Sequence, residues 1–79
     1  MKVLVVERSQ RRIEPIIGLV IAGAITLVWA KDSEEGEAAF AFHRDNLSAV
    51  VVSATTPGAD GLRRTISQGG YAGPIVSYP

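Results

Sequence analysis

Ser48-Ala49-Val50-Val51-Val52-Ser53-Ala54-Thr55-Thr56-Pro57-Gly58-Ala59-Asp60-Gly61 passes from an apolar run through a turn to the start of a new segment. Three consecutive β-branched residues, Val50 to Val52, stop at Ser53. An apolar run that does not alternate fits a strand buried on both faces, as in a parallel sheet. Pro57 and Gly58 punctuate the loop that follows. Asp60 is placed to cap a helix beginning near Gly61, its carboxylate accepting from free N–H groups of the first turn. Strand, loop and helix in that order make a βα unit. In open α/β sheets the loop at the carboxyl end of a strand is where ligands and chemistry collect.

The flanking sequence repeats the pattern. Lys2 to Val6 reads as a first strand buried on both faces, ended by Glu7-Arg8-Ser9. Ile13, Ile16, Ile17, Val20, Ile21 and Ala24 recur at helical spacing, with Ser9 as N-cap and Gly23 as stop. Pro15 requires that this helix either start late, with proline in its first turn, or kink. Ile25 to Trp29 reads as a second strand. Asp32 and Glu35 form a capping-box-like start for a second helix running to about Arg44, weakened by Gly36. Its apolar side is drawn from Ala38, Ala39 and Phe42, with Phe40 the less certain member. Leu62 and Ile66 are the apolar pair of a short third helix that ends at Gly69-Gly70. Ile75 and Val76 belong to a fourth strand. Right-handed crossovers then give a parallel sheet with helices on both faces.

The chain has 79 residues, one domain's worth, and a modest core. Eight basic and eight acidic side chains give zero net charge. That supplies no electrostatic case for nucleic acid or an anionic membrane, and little protection against self-association. There are no cysteines, which removes disulfides and thiolate metal sites and permits an intracellular location. Ile16 to Ala30 is uncharged and follows Arg8, Arg11 and Arg12, so a small membrane-anchored peptide built on it is one alternative. A spanning helix needs roughly 20 apolar residues, however, and Glu14 and Lys31 close this window early. Gly23 also divides it into a helix-like and a strand-like part, and no membrane association is expected.

The central stretch resembles response-regulator receiver (CheY-like) domains. In that family an apolar strand ends in an aspartate, and Pro-Gly and then Asp-Gly follow at the spacing of Pro57-Gly58 and Asp60-Gly61. Gly70-Tyr71-Ala72-Gly73-Pro74-Ile75-Val76 is similar to the family's approach to its fourth strand. The resemblance implies a flavodoxin-like sheet of strand order 2-1-3-4, stopping after the fourth strand, over residues 1–79. It places Ser53 where the phospho-accepting aspartate belongs. It also places Glu7 and Arg8 at the metal-binding acid pair, and the Thr55 carbonyl as a further metal ligand. The fifth-strand lysine has no counterpart, and the fourth-strand hydroxyl position falls near Pro79.

A receiver carries its phosphoryl group on a carboxylate and neutralises it with a divalent cation. With Glu7 the one surviving acid, neither magnesium nor another cofactor is expected, and no enzymatic activity. Arg8 is expected to pair with Glu7 and to supply a fixed positive charge in the metal's place. His43, the single histidine, lies on the second helix, away from the loop. Arg11-Arg12 and Arg63-Arg64 read as solvated pairs. The function implied is a degenerate receiver-like domain in two-component signalling, cytoplasmic, binding a histidine kinase, an output module or itself. A fragment of a longer response regulator or hybrid kinase is the other possibility. The open fourth strand, beside an uncovered strip over strands one and three, predicts a homo-oligomer.

Overall fold

In the computed structural model the backbone is described for residues 1–79 apart from Ala24 and Pro79. The side chains of Ile16, Ile17, Leu19, Val20, Ile21 and Tyr78 are likewise outside the described set. The expected apolar face of the first helix is therefore represented by Ile13 alone, and the expectation at Pro79 lies outside the described residues.

Strands β1 (Lys2–Val6), β2 (Thr26–Ala30), β3 (Ala49–Ser53) and β4 (Ile75–Tyr78) alternate with helices α1 (Gln10–Ile21), α2 (Ser33–His43) and α3 (Ala59–Gln68). The sheet is wholly parallel, in the order β2-β1-β3-β4. This is an α/β fold with the first four positions of the doubly wound order 2-1-3-4-5.

Side-chain alternation along the strands divides the core in two. Leu4, Val6, Val50 and Val52 face α2 and α3, where Phe40, Ala59, Leu62 and Ile66 complete a buried cluster. Val3 and Val5 face the other way and are buried with Ile13 of α1. Helices thus cover both faces. Each fully buried valine or leucine contributes about 1.5–3 kcal/mol relative to exposure. The expected uncovered strip is corrected here: β1 is buried on both faces, and Ala49 and Val51 of β3 are half-buried. Exposure is concentrated on the edge, where Val76 is 47% accessible. Val76 lies in register with Val51, so it shares the α1 face.

The helix boundaries depart from expectation in three places. Pro15 is interior to α1, the sixth residue of twelve, so the late start does not occur. The helix accommodates its missing N–H and ends before Gly23, whose φ of 79° few other residues adopt readily. The N-cap of α3 is Gly58 rather than Asp60. Asp60 sits inside the first turn and pairs with Arg63, three residues on. On α2, Phe40 is the core aromatic and Phe42 is 84% exposed, reversing their expected weight. The buried stripe runs Gly36–Phe40, one turn apart, because Gly36 lies against Leu62 and Val6. A Cβ at Gly36 would fall 3.0 Å from a Leu62 methyl, so this glycine allows α2 to approach α3 closely. The Asp32 cap stands: its Oδ1 accepts from the Glu35 N–H at 2.8 Å.

Ile16 to Ala30 is not one helix: α1 ends at Ile21 and β2 begins at Thr26. No described helix is long and apolar enough to cross a membrane.

Candidate functional site

Parallel register brings Glu7, Ala30 and Ser53 to one end of the sheet, the carboxyl ends of β1, β2 and β3. The Glu7 N–H bonds the Ala30 carbonyl at 2.9 Å, extending the β1–β2 pairing past the strand. Glu7 is consequently 0% exposed, a carboxylate taken wholly out of water. Such a group needs charge and hydrogen-bond compensation. The Arg12 Nε lies 3.2 Å from Glu7 Oε1, and the Ser9 N–H donates to Glu7 Oε2 at 3.1 Å.

The partner of Glu7 is therefore Arg12 and not Arg8. Arg8 follows a buried residue in the chain and is itself exposed, and among the described contacts of the carboxylate the cation is Arg12. Arg12 reaches back from the first turn of α1, and this long lever is what a reading of Arg11-Arg12 as a solvated pair misses. Spacing narrows the choice to Arg11 and Arg12, both on the first helical turn after the acid at the strand's end, and the fold selects Arg12. Ser9 stands in the expected N-cap position, immediately before α1. Its carbonyl accepts from the Arg12 N–H, while its own N–H serves Glu7.

The site continues across to β3. Arg12 donates through Nη1 to Thr55 Oγ1 at 3.4 Å. The Thr55 and Ser53 hydroxyls are 2.9 Å apart, and the Thr55 N–H donates to Ser53 Oγ at 3.3 Å. Ser53 is fully buried. A chain of polar contacts thus runs from Glu7 through Arg12 and Thr55 to Ser53. Thr56 is buried, and its Oγ1 has no hydrogen-bond partner among the described residues. Pro57 and Gly58 shape the turn into α3, and the Pro57 carbonyl accepts from the Ser33 hydroxyl at 2.7 Å. Trp29, at the rim of β2, donates its indole N–H to the Glu7 carbonyl.

Chemically, this arrangement holds charge in place. The partners of Ser53 are the hydroxyl and the amide of Thr55, neither of which takes a proton at neutral pH. His43 is at the other end of the sheet, its Nδ1 3.5 Å from Lys2 Nζ. A hard dication such as magnesium wants several free oxygens with one or two carboxylates. The donor set does not fit one: the single carboxylate, Glu7, holds a guanidinium on one oxygen and an amide on the other. Ser53 and Thr55 bring neutral hydroxyls. Among the described residues no group of three or more His, Asp or Glu side chains is placed to hold a metal ion. Asp60, the remaining expected loop residue, is exposed and paired with Arg63.

No protein-family model, curated protein or solved structure matches this chain. The likeness to receiver domains rests on the chain's own residues and their spacing.

Proposed function

We propose that the chain is a degenerate receiver-like domain that works in two-component signalling by binding protein partners, without accepting a phosphoryl group. One observation carries this reading: a buried internal ion pair, Glu7–Arg12, occupies the place where a receiver would assemble acids around a metal. Ser53 offers a hydroxyl where a receiver would offer a carboxylate nucleophile. The positive charge that a receiver takes from a dication is here covalently part of α1. The domain is held in one state, and its signal lies in what it binds. The strand order and the βα loop after β3 support the same reading.

The test is a fluorescence-anisotropy titration of the labelled chain with histidine-kinase dimerisation domains from its source organism. Saturable binding that is indifferent to magnesium and to phosphoryl donors is expected. Binding to none of them, or binding that appears only with magnesium and a donor, contradicts the proposal.

The second partner is the chain itself. β4 pairs only with β3 within this sheet, and Val76 beside its open edge is exposed. An apolar edge strand is a template for another strand, and zero net charge does not oppose the approach. Sedimentation equilibrium is expected to give a dimer or larger species at low micromolar concentration. A monomer there refutes self-association through β4.

A further inference from the structure

At the carboxyl ends of β1 and β2 lies an open pocket of about 470 Å³, lined by Arg8, Lys31, Asp32 and Pro57. Three loops contribute to it, those after β1, β2 and β3. Its charged groups are not equally committed. The Asp32 carboxylate is engaged with α2, accepting from the Glu35 N–H. Lys31 Nζ has one distant partner, Glu35 Oε2 at 3.9 Å, with both side chains well exposed. An exposed pair of that kind is worth little and yields readily to a better anion. Arg8 is exposed, and its guanidinium has no ion pair or hydrogen bond among the described residues.

The burial of Glu7 explains why Arg8 is free. Glu7 points into the domain and is served by Arg12, so the adjacent residue is turned outward with its fork unused. We infer that Arg8 and Lys31 form a binding site for a small organic phosphomonoester, seated in the pocket above Asp32 and Pro57. A guanidinium fork binds two oxygens of one phosphate, and an ammonium adds a point charge on the third. A dianion satisfies both cations and outweighs the single charge of Asp32. The pocket falls in the size range of small-molecule sites and exceeds what a bare phosphate fills. Its position, outside the carboxyl ends of parallel strands, is where α/β sheets bind ligands. This inference shares the Glu7–Arg12 pairing with the signalling proposal but does not depend on Ser53 or on any protein partner, so binding of a phosphomonoester is measured separately from binding of a kinase domain.

The single tryptophan supplies the assay. Trp29 is two residues before Lys31, and its indole bonds the carbonyl of Glu7, next to Arg8. Titration of the intact chain at low salt, with 5′-AMP and with glucose 6-phosphate, is read by Trp29 emission and by calorimetry. At least one phosphomonoester is expected to bind saturably and more tightly than inorganic phosphate. Arg8→Gln and Lys31→Gln are each expected to weaken it about tenfold or more, the loss of one charge-assisted contact. Both residues are exposed, so both variants keep the parent's far-ultraviolet circular dichroism. Three results overturn the inference: no saturable binding, affinity no greater than that of inorganic phosphate, or binding unchanged in Arg8→Gln.

Discussion

Arg12→Ala is the perturbation with the most to say about the carboxyl end of the sheet. In the parent, Arg12 Nε is 3.2 Å from an oxygen of Glu7, which has no exposure, while the Arg12 side chain is 35% exposed. Two unit charges 4 Å apart attract by about 4 kcal/mol at an effective dielectric constant near 20. Partial exposure of the arginine lowers that value. Removing the cation leaves a buried carboxylate uncompensated, a change that typically destabilises by about 3–5 kcal/mol. A loss near 3 kcal/mol is expected, against a total stability of roughly 4–12 kcal/mol for a domain of this length. Urea denaturation followed by circular dichroism at pH 7 measures it, as a fall in midpoint at constant slope.

One control separates the pair from simple loss of contacts. In a Glu7→Gln background, Arg12→Ala should cost about 1 kcal/mol or less, since no buried charge is left behind. If Arg12→Ala lies within about 0.5 kcal/mol of the parent, as surface substitutions usually do, the ion pair is not what holds Glu7 inside.

Other substitutions follow from the same structure. Thr56→Val exchanges a buried, unpartnered hydroxyl for a methyl of similar shape and is expected to stabilise by about 1 kcal/mol, raising the melting temperature by roughly 4–8 °C; a fall by calorimetry would mean that the hydroxyl has a partner. Pro15→Ala restores a helical N–H at an exposed interior position of α1 and should add about 2 kcal/mol, after allowance for the unfolded chain's greater freedom. No gain in urea midpoint would show that α1 does not extend across residue 15. Burial raises the Tyr71 phenol above its usual value of 10.0. The neutral form is favoured in the fold, so stability is complete below pH 10 and declines as pH rises above it. Tyr71→Phe should remove that alkaline decline, which a pH series of thermal melts would reveal.

The strands were legible because Val and Leu runs bounded by polar residues have few other solutions, and parallel order followed from the intervening helices. Lys2–Val6 and the end of β3 at Ser53 were read directly. What was hidden depended on three-dimensional reach or on backbone conformation. Gly36 has no side chain to mark an apolar stripe, so residue type gives Phe42 more weight than Phe40 on the buried face of α2, the reverse of what the fold shows. Gly58 caps α3 through a φ of 76°, whereas residue type pointed to Asp60. At the candidate site, Glu7, Ser53 and Thr55 were identified as residues that converge. The cation between them was assigned to Arg8, its neighbour in sequence, when a helical turn carries Arg12 to the same place.

The central claim is that this carboxyl end holds its own positive charge and takes no phosphoryl group. The direct measurement is intact-mass spectrometry of the chain after incubation with acetyl phosphate and magnesium. An unchanged mass is expected, since Ser53 carries no carboxylate and its hydroxyl is bonded, among the described residues, by the hydroxyl and amide of Thr55. A mass increase of one phosphoryl group, stable in acid and labile in base as an acyl phosphate is, would contradict it.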